Sequence, residues 1–306
     1  MSHLALMWHT PEHQQILQEI DGEFQALVNT AIEEGRLSLP PIPEVVIRIH
    51  KICQADDSTI RDIANALVDD PSLTAYVIRA ANSVIFSPRN VTCHDLITAV
   101  SRLGMYRVRD IVTAQAIEEL KRSATFSQEC NRLLEESAHQ SRLLAGATTL
   151  VCNGVLKHSE HKLLLEPEKA LLACLLSDIG LFSLIKEYEY YLEKGNYLDF
   201  NIAKQVFAQG CNEASTQILK HWGFDEDYLE VAGNDYYTPK SGEETRYVDL
   251  ARMANHLLLF RNQDDAYYDS EIELDLAGAE TMYELSNLSD SEFSHLVQEI
   301  IQNSGL

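Results

Sequence analysis

Residues 167–185, PEKALLACLLSDIGLFSLI, form the most apolar stretch of any length in this chain and carry one unpaired acid, Asp178, directly after Ser177. Glu166 followed by Pro167 suits a helix start, because proline at the first helical position gives up an N–H that had no partner there. Leu171, Leu172, Leu175, Leu176 and Ile179 follow at helical spacing, and Gly180 stands where the helix ends or is closely packed. A helix apolar on nearly every side belongs in the middle of a domain. A carboxylate there must be hydrogen-bonded, paired or bound to a metal, since burying it alone costs several kcal/mol.

The segments around this stretch are helical too. Thr10-Pro11-Glu12 opens a helix whose stripe is Ile16, Ile20, Phe24, Leu27 and Val28, stopped at Gly35; it has the look of an appendage in need of a packing surface. The proline-rich connector at residues 39–43 is too stiff for helix and is expected to be extended. Short helices follow, one carrying Val45, Val46, Ile49 and Ile52, one starting at Ser58, and one capped by Asp70 with Pro71 at its first position. Thr92 and Asp95 form the outline of a capping box before Leu96, Ile97, Val100 and Leu103, and a further helix runs on from Tyr106. One long helix is expected over residues 126–154, then helices at 202–207, 214–222, 227–232 and 247–260, and a last one carrying Phe293, Leu296, Val297, Ile300 and Ile301. Residues 263–275 are acidic and loosely patterned, the mark of a loop. No strand alternation appears, so the fold class is all-α.

Composition narrows the function by exclusion. A net charge of −23 is the wrong sign for phosphate or anionic lipid, so nucleic acid and membrane surfaces are not the expected partners. From Gly223 to the end there are nineteen acids against four bases. No run approaches the about 18 apolar residues that a membrane span requires, and the opening MSHLALMWHT lacks the form of a signal peptide. Six scattered cysteines with no C-x-x-C pair suit small buried residues in a reduced cytoplasm. No Gly-rich phosphate loop, hydrolase elbow, dinucleotide fingerprint or kinase signature is present.

Several stretches taken in order resemble the HDOD family, the HD-related output domains of bacterial signalling proteins. They are LPPIPEVVIRIHKI at 39–52, the Asp70-Pro71-Ser72-Leu73 helix start, AANS at 80–83, ITAVSRLGMYRVRDIV at 97–112, ALLACLLSDIG at 170–180 and ILKHWGFDEDYLE at 218–230. The resemblance implies an N-terminal helical extension at 1–36 and an HDOD domain at 37–238. That domain would divide into an N-terminal helical lobe (37–122) and a lobe shaped like an HD phosphohydrolase (123–238). An acidic helical extension would fill 239–306.

The resemblance also supplies a test of chemistry. HD phosphohydrolases hold one or two divalent metals with His and Asp residues from several helices, and the metal polarises a phosphoryl oxygen and activates a water. Carried over residue by residue, the first helical histidine falls on His139. The His-Asp pair falls on Ser177-Asp178, so its histidine is missing. A later histidine position offers Cys211 and Asn212, the paired histidines fall near Asp235 and Tyr236, and the late aspartate falls near Asn255. That leaves His139 and Asp178, with Asp235 as a third, as residual ligands, and Ser177, Cys211 and Asn255 as pocket neighbours. Two or three such groups do not complete a hydrolytic centre. The bland expectation for Asp178 is a buried carboxylate bonded to His139, to a helix-start N–H or to a hydroxyl such as Ser177. His158 and His161 are expected at the surface.

The expected function is therefore a non-catalytic, cytoplasmic signalling or scaffold protein with no cofactor, working through protein contacts. The resemblance points to a sensor kinase, a response regulator or an enzyme of cyclic di-nucleotide turnover as partner. The connector prolines Pro40, Pro41 and Pro43, with Arg107, Arg109 and the groove between the two lobes, are the candidate contact surface. Arg102, Arg107, Arg109, Lys121 and Arg122 are the densest basic group, able to bind a partner's acidic face or a phosphate ligand but expected rather as a solvated helix edge paired with nearby acids. A metal-dependent phosphohydrolase using Mn²⁺, Mg²⁺ or Fe²⁺ is the alternative, and a small-ligand sensor using the degenerate pocket is a second.

Overall fold

The computed structural model describes residues 22–86, 92–235, 245–268, 272 and 274–304. Among the described residues every regular element is helical, as the all-α expectation requires. In chain order the α-helices are α1 (Glu23–Glu33), α2 (Glu44–Gln54), α3 (Ile60–Val68), α4 (Pro71–Asn82), α5 (Leu96–Leu103), α6 (Met105–Ser123), α7 (Gln128–His158), α8 (Pro167–Leu176), α9 (Gly180–Glu193), α10 (Phe200–His221), α11 (Glu226–Gly233), α12 (Tyr247–Arg261), α13 (Leu276–Ser286) and α14 (Asp290–Ser304).

The helix punctuation is local chemistry. Asp70 accepts from the Leu73 N–H at 3.0 Å with Pro71 behind it, and Pro167 opens α8 after Glu166. Two starts shift from their sequence expectations because a better acceptor lies nearby. Thr59, not Ser58, caps α3 in a reciprocal box with Asp62. Asp95 is itself the cap of α5, accepting from the Thr98 N–H at 2.8 Å, so the box with Thr92 does not form. The expected helices at 202–207 and 214–222 are one helix, α10, which runs unbroken through Gly210. The proposed start at Thr10 lies outside the described residues.

Two cores organise the helices. The larger runs without a break from Val46, Ile63 and Ile111 through Leu144, Leu171 and Ile218 to Leu257 and Phe293, so the N-terminal helices and the α7–α8 region share one interior. The second is built on α1, which is no appendage. Phe24 sits among Tyr188, Tyr191 and Phe207 with ring centroids 5.3 to 6.4 Å apart, and Val28 and Ile32 follow it into the same core. The C-terminal helices lie against α7 at points where it offers no side chain. A Cβ on Gly146 would come 2.8 Å from Val297 Cγ1, and one on Gly154 would come 2.4 Å from Thr281 Cγ2. Arg261 ties this corner together, donating to the carbonyls of Leu285 at 2.6 Å and Leu288 at 2.9 Å and pairing with Asp290 at 2.7 Å.

The 167–185 stretch differs from the single helix its periodicity predicts. It breaks at Ser177-Asp178-Ile179 into α8 and α9. Through the break the hydrogen bonds tighten to three-residue steps, with Ile179 N–H on Leu176 O and Leu181 N–H on Asp178 O, while the Gly180 N–H turns to the Ser215 hydroxyl at 2.9 Å. A Cβ on Gly180 would lie 2.5 Å from Ser215 N, so glycine alone lets α9 start this close to α10. The turn is what aims Asp178.

Candidate functional site

Asp178 is 1% exposed and meets a lysine. Lys121, near the end of α6 and 3% exposed, places Nζ 2.7 Å from Asp178 Oδ1. The other oxygen, Oδ2, accepts from the Ser137 hydroxyl and from Ser141 Oγ at 3.1 Å. Ser137 and Ser141 are one turn apart on α7 and therefore share a face. The acid is thus neutralised by an ammonium and solvated by two hydroxyls, which is what a carboxylate must find to remain buried.

The predicted ligand set does not assemble. His139 lies two positions beyond Ser137 on α7, which turns it away from the core, and it is exposed. Asp235 is exposed beyond the end of α11, where its backbone carbonyl accepts from Arg252 at 2.5 Å. Tyr236 lies outside the described residues. Asn255 is buried on α12. Ser177 turns back on its own helix to donate to Cys174 O at 2.8 Å and does not serve Asp178. Cys211 does flank the site, its Sγ 3.9 Å from the Asp178 carbonyl oxygen, but burial and then the nearby Asp178 charge push its thiol up to about 12, so it is no nucleophile at neutral pH. Among the described residues no three His, Cys, Asp or Glu side chains gather where they could hold a metal. The donor set at Asp178, one carboxylate beside an ammonium, does not fit a divalent cation.

Lys121 departs from the solvated basic edge that the sequence predicts for it, because it is 3% exposed and turned onto Asp178. A signal existed: Ala114, Ile117 and Lys121 fall at i, i+3 and i+7, which puts the lysine on the buried stripe of α6. Arg109 is likewise no surface residue. It is 3% exposed, pairs with Asp110 at 2.6 Å, donates to Gly223 O at 2.8 Å and lies 4.4 Å over the Phe224 ring. Asp110 in turn accepts from the Tyr228 hydroxyl at 2.8 Å. Burial pushes the Asp110 carboxyl up, and Arg109 and Tyr228 pull it back. Arg107 holds Glu166 and Glu168 at 2.6 Å each. Of the connector prolines, Pro40 is buried while Pro41 and Pro43 remain exposed. His158 closes α7 with Glu284 at 2.8 Å and Glu280 at 3.2 Å, so acids of the C-terminal extension partner it.

His50 completes the Arg109 junction. Its Nδ1 lies 3.0 Å from the Trp222 carbonyl and its Nε2 lies 2.8 Å from the Thr113 hydroxyl. A carbonyl only accepts, so Nδ1 carries the proton, while the Thr113 hydroxyl, which also lies 2.7 Å from the Arg109 carbonyl, has one proton to divide between that carbonyl and Nε2. Burial is the main cause that lowers its pKa to about 4, with the Arg109 charge acting in the same direction against the Trp222 hydrogen bond. The ring is neutral at physiological pH and joins α2 and α6 to the end of α10.

A family model for the HDOD domain matches residues 39–237. No curated protein matches the chain. Among solved structures, a candidate metal-dependent phosphohydrolase from Shewanella amazonensis SB2B aligns over 94% of this chain and 99% of its own, with a TM-score of 0.68 at 20% identity. A second candidate phosphohydrolase from the same organism covers 93% of this chain and 99% of its own, with a TM-score of 0.53 at 18% identity. An HDOD domain protein of unknown function from Geobacter sulfurreducens covers 92% of this chain and 98% of its own, at a TM-score of 0.48 and 18% identity. At these identities the likeness to the two Shewanella proteins is one of fold.

Proposed function

This chain belongs to the HDOD domain family, and from that premise we propose that it is a non-catalytic signalling scaffold acting through protein contacts. One observation carries the reading: the acid at the HD position is bonded to Lys121, Ser137 and Ser141 in the interior of the protein. A metal entering there would have to displace a resident cation that already neutralises Asp178. It would also need ligands that His139 and Asp235 do not bring to it. Hydrolysis of a phosphate ester by the metal route needs a metal with an open coordination position and an activated water, and an ammonium paired with the one carboxylate works against holding that metal.

Partner contact would fall on the exposed part of the connector, where Leu39, Pro41 and Pro43 precede the exposed Ile47 of α2. The connector turns tightly at Pro41, with the Ile42 N–H on the Pro40 carbonyl at 2.9 Å, and its prolines have little backbone freedom to lose on contact. The partners of this proposal are a sensor kinase, a response regulator or an enzyme of cyclic di-nucleotide turnover.

Metal analysis of the purified protein, with phosphatase and phosphodiesterase assays in added Mn²⁺, Mg²⁺ and Fe²⁺, tests the reading. The expected result is sub-stoichiometric metal and no turnover above buffer. Stoichiometric metal together with activity, both lost in Asp178→Asn, would establish the hydrolase instead.

A further inference from the structure

A cavity of about 300 Å³ opens where α4, α6 and α7 meet, lined by Tyr76, Arg79, Gln115, Glu118, Glu119, Arg122 and Arg142. In a chain of net charge −23 this wall sets three guanidiniums against two carboxylates. Arg122 and Arg142 converge from different helices on the same oxygen, Glu118 Oε1, at 2.8 and 2.7 Å. Each arginine has five N–H donors, so that shared oxygen leaves most of their donors uncommitted. Arg79 lies 5.1 Å from the centroid of the Tyr76 ring and has no ion pair with any described acid. Glu119 is engaged by the Gln115 amide at 2.7 Å.

The floor holds the second observation. Tyr76 is 3% exposed, and its buried hydroxyl has no hydrogen-bond partner among the described residues. Leaving such a group unsatisfied costs about 1–3 kcal/mol, and a phenylalanine would avoid the cost with the same packing. The charged groups acting on that phenol are Glu118, Arg79, Glu119 and Arg122, all from the same cavity wall. Burial raises its pKa, so the hydroxyl keeps its proton and stands as a donor.

We propose that this cavity binds a small phosphate-bearing ligand, no larger than a mononucleotide, through Arg79, Arg122 and Arg142 with the Tyr76 hydroxyl as a further donor. Planar guanidiniums from three helices suit a tetrahedral group with several terminal oxygens better than a carboxylate with two. The volume is at the lower end of small-molecule sites, and the position between the N-terminal helices and α7 is where such sites form. Occupancy would tie α4 and α6 to α7 and so couple a ligand to the scaffold. The cavity is separate from the Asp178 cluster: Lys121 points inward from α6 while the neighbouring Arg122 faces the cavity. This inference stands whether or not Asp178 ever holds a metal.

Isothermal titration of the full chain with inorganic phosphate and with 5′-AMP, at about 0.1 M NaCl to limit long-range electrostatics, tests it. The expected result is saturable binding of at least one probe at one site per chain, with adenosine, which lacks phosphate, silent. Arg79→Gln should weaken the affinity about tenfold, the scale of one charge-assisted contact. Tyr76→Phe should weaken it several-fold while leaving the melting temperature equal or higher, a combination that a purely structural tyrosine would not give. No heat from either probe up to about 10 mM, beyond the range of a useful specific site, would overturn the proposal. So would binding that is unchanged in both variants.

Discussion

Replacing Lys121 by Met keeps the length of the side chain and removes the ammonium 2.7 Å from Asp178 Oδ1. Asp178 would then keep its bonds from Ser137 and Ser141 but remain a carboxylate in a site 1% exposed. Removing one member of a buried ion pair costs about 3–5 kcal/mol, mostly as the penalty on the charge left behind. For a chain of this size that corresponds to a fall in melting temperature on the order of 10 °C. Urea unfolding followed by circular dichroism at pH 7 reads the loss directly. The cost should shrink as the pH is lowered, because a proton can then neutralise the carboxylate in place of the ammonium. Asp178→Asn, which strands the ammonium instead, should also destabilise. The double variant should cost less than the sum of the singles by at least about 1 kcal/mol, as coupled partners do. If Lys121→Met stays within about 0.5 kcal/mol of the parent, the scale of a neutral surface change, the buried pair is not what holds Asp178 in the core.

Other outcomes follow from the same structure. His50 has a folded pKa of about 4 against an ordinary 6.5, so between those values the unfolded chain binds the extra proton; its contribution is fully present above pH 6.5 and is lost as the pH falls toward 4. The loss is roughly 3 kcal/mol and should be much reduced in His50→Gln, measured by urea midpoints across that window. Gly180→Ala should cost about 1–3 kcal/mol or more, since its Cβ meets Ser215 N at 2.5 Å and Cys211 O at 2.8 Å, both backbone atoms that cannot swing aside. Gly210→Ala, in the interior of α10 with its nearest atom at 3.4 Å, should instead stabilise by about 0.5–1 kcal/mol in the same assay. All six cysteines are buried, and burial pushes Cys152, Cys174 and Cys211 up to about 12, so an aromatic disulfide reagent should label none of these three until denaturant is added.

The helices were legible because helical order is written locally. Asp70-Pro71 and Glu166-Pro167 mark their starts within two residues, and the stripe Phe24, Leu27, Val28 declares a buried face before its packing surface is known. The family was legible for a related reason, since six short stretches in order identify a known arrangement of such helices. The residual metal set was legible only as a list of positions. The family resemblance puts His139 and Asp178 in one ligand set, and the rotation of α7 puts Ser137 and Ser141 against Asp178 instead.

From sequence alone came the all-α class, most of the caps, the family and the fact that Asp178 had to find a partner. Which partner it found was decided only by the tertiary structure. Lys121 lies 57 positions away and Ser137 lies 41 away, and nothing in the spacing along either helix states how α6, α7 and the α8–α9 turn cross. The same holds for Arg109, which looks like one basic residue among several until the ends of α10 and α11 close over it. Periodicity records which face of a helix is buried, because that depends on 3.6 residues per turn. The atom that face meets depends on how separate helices pack, and that is settled only when the whole interior is filled at once.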